Sequence, residues 1–324
     1  MRKTKLGGWV AAFWIVNLLC LTGVGIGLAV YWDKTPFSSA AAAPLPTLMQ
    51  IPTETTTPTI EIPTSTVTPS PTRKPTITPY IYITETFTPP PWMQGPIIIG
   101  YSVGVRPLEV YRFGDGPTQR MIVAGIHGGN EYNTIALADE LINYLRDHPE
   151  AIPEKVTLYI LRNLNPDGEA RGHDETGRTN NNGVDLNRNF PSNWKQEWDR
   201  DGCWIKLPVT SGAYAASEPE TVSLMIFIQL HKIDALISYH SAALGIFPGG
   251  MPPDKYSIKL AEKLADVSDY SYPPLDTGCE YTGTLADWAS DHNIAAVDLE
   301  LTNHRDTDFE ENLKVLKAFL NWKR

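Results

Sequence analysis

The sequence predicts a single α/β domain, with a mixed and mostly parallel central sheet flanked by helices, carried behind an N-terminal membrane helix and a disordered stalk. Three observations lead there. An uncharged run opens the chain, a Thr/Pro-rich stretch follows, and beyond it apolar strand-like runs alternate with helical patterns. The implied boundaries are residues 1–32, 33–94 and 95–324.

Residues 6–32 carry no charge, and Arg2, Lys3 and Lys5 stand just before them. As a helix this run would reach about 40 Å, more than the ~30 Å of a bilayer's hydrocarbon core. Trp9, Trp14, Tyr31 and Trp32 are candidate interface anchors, and the basic start predicts an inside N-terminus. A cleaved signal segment is the alternative, with the small residues of 38–43 as its cleavage region. Leu19 before Cys20 argues against a lipoprotein. Either reading puts the remainder outside the cytoplasm, single-pass at the cell membrane or secreted.

Residues 33–94 are dominated by Thr, Pro and Ser, and about half of the chain's 27 prolines precede Trp92. Such a segment has too little apolar surface to offset its ordering entropy and favours extended polyproline conformations. The stretch beyond has ordinary globular composition. Six of the 27 basic and four of the 37 acidic residues precede Trp92, leaving 21 basic against 33 acidic after it. That balance excludes a nucleic-acid partner, which calls for basic patches. Cys203 and Cys279 are the two cysteines outside the apolar run, and one disulfide between them is open in an oxidising compartment.

Within the domain, apolar runs predict strands near residues 108–113, 121–124, 156–161, 235–239 and 295–301. Helical spacing appears at residues 133–146 and 218–231, then near 255–267, 284–291 and 308–323. Strands alternating with helices imply the mixed or largely parallel sheet. Residues 163–218 show little periodicity and many Asn, Gly, Asp and Arg residues. A loop that long inside a compact domain is usually functional.

The chemistry-bearing residues fall at predicted strand ends, where α/β sheets bind ligands. "VAGIHGGNE" places His127 and Glu131 between a strand and a helix, and "ALISYHSA" ends another strand on His240. Two imidazoles and a carboxylate make a suitable three-ligand set for a catalytic zinc.

These segments resemble the zinc carboxypeptidases, the group that includes carboxypeptidase A and bacterial murein peptide amidases. "IGYSVGVRPLEVYRFG" resembles the family's opening strand, "NPDG" its inner loop, and "GVDLNRNFP" its substrate-binding segment. "SEPET", "TGTLADWA" and "VDLELTN" follow in the family's order. The resemblance implies one zinc ion on His127, Glu131 and His240. It implies that Glu300 is the glutamate that takes a proton from the attacking water, and that Arg178 stabilises the oxyanion. Arg171, in the same loop, competes for that arginine role. Asn187 and Arg188 match the pair that grips the substrate's terminal carboxylate. Tyr281 matches the mobile tyrosine, at a shorter distance from "DW" than the family's, and Ala286 matches the floor of the side-chain pocket. An uncharged Ala286 argues against selection of Lys or Arg termini.

One spacing departs from the family: three residues, not two, separate His127 from Glu131. Gly128 and Gly129 can absorb the extra residue through conformations closed to other residues. Otherwise Asn130 falls at the ligand position and metal binding weakens. The resemblance thus implies a zinc metallopeptidase acting on peptides with a free carboxylate, with cell-wall peptides among the candidate substrates. The alternatives are a zinc deacylase of small acylated amino acids and a stalk-mounted, non-catalytic wall-binding module.

Overall fold

A computed structural model describes residues 92–198, 208–242 and 244–324. The membrane segment, most of the stalk and Cys203 lie outside these residues. Among the described residues no helix is long and apolar enough to cross a membrane.

Seven strands form one sheet: β1 Met93–Tyr101, β2 Pro107–Phe113, β3 Thr118–Val123, β4 Val156–Leu161, β5 Ala235–Ser241, β6 Ile246–Pro248 and β7 Ala295–Leu301. Their order is β1-β2-β4-β3-β5-β7-β6. The four central strands β4, β3, β5 and β7 are parallel, and the outer pairings are antiparallel. A mixed, centrally parallel sheet is the predicted architecture. Two strands escaped the sequence reading. β1 begins inside the residues assigned to the stalk, and its Gly95 and Pro96 mask it as linker; proline is tolerated because β1 is an edge strand. β6, at three residues, is too short to leave a periodic signal.

The main helices are α1 Tyr132–Asp147, α2 Pro166–Arg171, α3 Pro219–Leu230, α4 Lys255–Ala265, α5 Leu285–Asp291 and α6 Phe309–Asn321. The central strands are buried on both faces, which is why they read as continuous apolar runs rather than alternating ones. Ile122, Leu158, Ile160 and Ile237 face one core, with Leu141 of α1, Leu260 of α4 and Phe319 of α6. Met121, Val123, Leu161 and Leu236 face the other, with Leu224 and Ile228 of α3 and Trp288 of α5. Helices therefore cover both faces of the sheet.

From β3 the chain passes through α1 to β4 on one side, whereas β5 and β7 lie on the other. The β3–β5 boundary is thus a switch point, where loops diverge and leave a crevice at the strand ends. The long loop crosses that end. It is tied down by side-chain hydrogen bonds: buried Asn180 and exposed Asn182 donate to Glu218 Oε2 at 2.7 and 2.8 Å. Asn189 donates to Ser211 O at 2.7 Å, and Asn180 Nδ2 also lies 3.3 Å from Glu220 Oε2, to which it donates.

Candidate metal centre and active site

His127 follows β3, His240 is the penultimate residue of β5, and Glu131 closes the short turn Gly128–Glu131 that leads into α1. All three are buried, and one ligand atom from each lies within 4.8 Å of the others. Glu131 Oε2 is 3.4 Å from His240 Nδ1 and accepts a hydrogen bond from Ser241 N at 3.0 Å.

The extra residue in the His127–Glu131 spacing is taken up by Gly128 at φ +50° and by close packing of Gly129. A Cβ at Gly129 would stand 1.9 Å from Gly172 O, so no side chain fits. Glu131 thereby reaches the histidines, and Asn130 instead accepts from Arg178 Nη1 at 3.4 Å.

Each histidine has a carboxylate beside its other nitrogen. His127 Nδ1 stands 3.3 Å from Asp185 Oδ1, and His240 Nε2 stands 3.4 Å from Asp298 Oδ1. Outer carboxylates of this kind fix the ring orientation of metal-binding imidazoles. Burial and then the Arg178 charge lower the His127 pKa, which favours the neutral, ligating form. Burial opposes ionisation of Glu131, but His127, His240 and Arg178 outweigh it and bring its pKa to about 2. Burial likewise opposes protonation of His240, and Asp298 and Glu131 outweigh it, raising that pKa well above the usual imidazole value. A cation is what this converging negative charge lacks. The donor set, its burial and its outer carboxylates fit one zinc ion.

Around the trio stand the other sequence-derived candidates. Glu300 pairs in register with His240 across β5 and β7. Its Oε2 is buried without a hydrogen-bond partner, and burial, then the Glu131 and Asp298 charges, raise its pKa to about 8. Arg178 touches both sides of the trio, with Nη1 3.3 Å from Glu131 Oε1 and Nη2 3.2 Å from His127 Nε2. Its Nε donates to Asp185 Oδ2 at 2.9 Å. The rival Arg171 points away into its own loop, donating to Thr176 O, Thr179 O and Asn180 O. Its work is to brace that loop.

Asn187 Oδ1 accepts from Leu285 N at 2.9 Å, and its Nδ2 lies 3.4 Å from His240 Nε2. Arg188 is buried, and its Nε has no hydrogen-bond partner. The Tyr281 ring lies 5.1 Å from its guanidinium, while the Tyr281 hydroxyl meets Thr277 Oγ1 at 3.1 Å. Ala286 is buried at the start of α5 and lines the same cavity of about 1160 Å³ as the trio, Glu300 and Arg188. Cys279 also lines it and is disulfide-bonded. The pairing with Cys203, open from the sequence, falls outside the described residues.

Two residues of this site had no role in the sequence reading. Asp185 sits two residues before Asn187, buried, with its pKa well lowered: burial opposes this, and Arg178 and His127 outweigh it. Asp298 sits two residues before Glu300, and a strand's alternation puts both on one face. That second signal was readable.

A profile of the zinc carboxypeptidase family matches residues 90–318. Murein peptide amidase A of Escherichia coli K12 is 29% identical over 214 residues, covering 62% of this chain and 79% of that protein. The crystal structure of the murein-tripeptide amidase from Escherichia coli O157 superposes with a TM-score of 0.53 at 25% identity, covering 74% of this chain and 95% of the other. Bovine thrombin-activatable fibrinolysis inhibitor, in complex with tick carboxypeptidase inhibitor, shares the fold with a TM-score of 0.58 at 21% identity, over 70% of this chain and 89% of that one. Profile, relatives and metal-ligand geometry agree: this chain belongs to the zinc carboxypeptidase family and is a zinc metallopeptidase.

Proposed function

We propose that the protein hydrolyses the amide bond that precedes a residue with a free α-carboxylate, with cell-wall muropeptides as its natural substrates. The observation that carries the reading is Glu300, whose unpartnered carboxyl oxygen opens beside the ligand trio in a cavity that also holds Arg178 and Arg188. The muropeptide step rests on the murein peptide amidase relatives. The uncharged run and the stalk support an extracytoplasmic position at the membrane.

The roles follow from position. His127, Glu131 and His240 would hold the zinc, which when bound supplies Lewis acidity to the scissile carbonyl and the attacking water. Glu300 takes the proton of that water on a carboxylate oxygen. It then returns the proton to the leaving amine nitrogen, and its raised basicity suits both transfers. Arg178 presents its guanidinium where charge develops on the carbonyl oxygen. Arg188, buried and incompletely hydrogen-bonded, is prepared for the substrate carboxylate, with Asn187 beside it. Tyr281, stacked over Arg188, covers the bound carboxylate from the cavity side. Burial of Glu131, Arg178 and Arg188 at the base of the cavity limits their contact with bulk water, which strengthens each interaction.

The test uses the full zinc-loaded chain with L-Ala-γ-D-Glu-diaminopimelate and an N-blocked dipeptide ending in an apolar residue. Release of diaminopimelate, abolished by Glu300→Gln, is expected. Cleavage of the dipeptide alone assigns a general carboxypeptidase. Cleavage of neither, with release of small acyl groups from acylated amino acids, assigns a deacylase and overturns the proposal.

A further inference from the structure

Resting on that reading, we infer that Trp198 is a positioning residue for the substrate carboxylate: its ring holds the Arg188 guanidinium from behind while Tyr281 meets it from the cavity.

Arg188 is 5% exposed, so its charge has lost most of its water. Its Nη1 donates to Asn187 O at 2.7 Å, and its Nε has no hydrogen-bond partner. Burial lowers its pKa, against the pull of Asp185. A buried cation in that condition gains from the negative face of an aromatic ring. Two rings serve it, with centroids 5.1 Å (Tyr281) and 5.9 Å (Trp198) from the guanidinium carbon. Tyr281 lines the cavity, whereas Trp198 does not. Rings stack on the faces of a guanidinium and leave its edge free, and the edge is what a carboxylate takes in a two-pronged contact.

A strap of residues 192–198 brings Trp198 there, running beside the segment that carries Tyr281. Phe190 N donates to Gly283 O at 3.0 Å, and Gly283 N donates to Ser192 O at 2.9 Å. Gly283, at φ +65°, permits the close approach: a Cβ there would stand 2.3 Å from Arg188 O. Farther along, Trp194 Nε1 donates to Ser211 O at 3.1 Å, and Ser211 Oγ donates to Gln196 O at 2.9 Å. Lys195 Nζ meets Glu280 Oε1 at 2.7 Å, and the neighbouring Cys279 is disulfide-bonded. The strap is thus pinned to Ser211 on one side and to the tyrosine segment on the other before it delivers Trp198. A ring held this way fixes the guanidinium before substrate arrives, so less ordering is left to the binding step.

The competing role for Trp198 is packing alone. The experiment separates the two with the full-length zinc enzyme, L-Ala-γ-D-Glu-diaminopimelate and the N-blocked dipeptide, each beside its counterpart with an α-carboxamide terminus. For the peptide that is cleaved, Trp198→Ala should lower the acid-over-amide preference in kcat/KM about tenfold, through KM for the acid, with kcat held within about threefold. Trp198→Phe should restore most of the preference. Zinc content and thermal midpoint are measured for each variant. An unchanged preference in Trp198→Ala overturns the inference, whatever happens to the midpoint. So does an equal loss on acid and amide, the signature of packing alone. Calorimetric binding of the same acids and amides to Glu300→Gln enzyme, with and without Trp198→Ala, reads the carboxylate site without turnover. A binding preference that Trp198→Ala removes, in a protein whose wild type cleaves neither peptide, upholds the positioning role and sinks the hydrolase reading. Cleavage with the full preference kept in Trp198→Ala does the reverse.

Discussion

The ends of the central strands and the long loop of residues 163–218 bring charges to the same cavity by different physical means. His127, His240 and Glu300 ride on or directly after β3, β5 and β7, whose backbones are fixed by parallel ladders between two cores. Arg178, Asn187 and Arg188 lie in a loop with short helical turns, held by side-chain hydrogen bonds to buried Asp185, Glu218 and Glu220. The sheet places atoms by register, and the loop places them by paired charge. Damage to the first should therefore remove chemistry outright, and damage to the second should degrade it by steps.

The largest expected effect is on the sheet side. Glu300→Gln should lower kcat by about a thousandfold, with zinc content unchanged, because it removes the proton carrier alone. Single-turnover assays with metal analysis check this. An equal loss of zinc would place Glu300 among the ligands instead. On the loop side, Arg178→Ala should lower kcat by about a hundredfold, with a smaller effect on KM, as removal of one oxyanion donor does elsewhere. Arg188→Lys keeps the charge and loses the fork, so KM should rise about tenfold while kcat falls less. Steady-state kinetics of the two variants side by side sharpen the contrast within the loop.

Stability probes the same division. Removing zinc with a chelator should lower stability by about 4 kcal/mol if the metal is present at a thousand times its dissociation constant, read as a shift in the urea midpoint. In the chelated protein Glu300 titrates near 8 when folded, against 4.5 for an unperturbed glutamate. The folded state then binds the extra proton across that window, so stability falls as pH rises from 4.5 to 8. Glu300→Gln should abolish this loss and stabilise the chelated protein by about 1–3 kcal/mol near pH 9, with no gain near pH 4. Denaturant midpoints at the two pH values decide it. The smallest effect is assigned to Arg171→Ala, which should cost about 1 kcal/mol of stability and alter kcat less than threefold, roughly. A hundredfold loss there would exchange the roles of the two arginines.

This division also explains what the sequence made legible. Continuous apolar runs announced β3, β4, β5 and β7, and His127 and His240 stood out because they end such runs. β1 did not, since its Gly95 and Pro96 resemble the linker before it. Within the loop no periodicity distinguishes Arg171 from Arg178, because their partners, such as Asn181 and Asp185, are set by tertiary folding. Asp298 was within reach of strand alternation, since it stands two residues before Glu300 on β7.

The close packing of Gly129 under Gly172 has a consequence for exchanging parts between relatives. The lengthened turn and the loop above it interlock like two halves of a joint: Gly177 O would meet a Cβ at Gly128 at 2.7 Å, and Gly172 O one at Gly129 at 1.9 Å. A chimera that imports a two-residue spacer without the loop opens a gap beneath residues 172–177, and one that imports the loop alone collides with the turn. The two segments must therefore be exchanged as a pair, although they are more than forty residues apart in sequence.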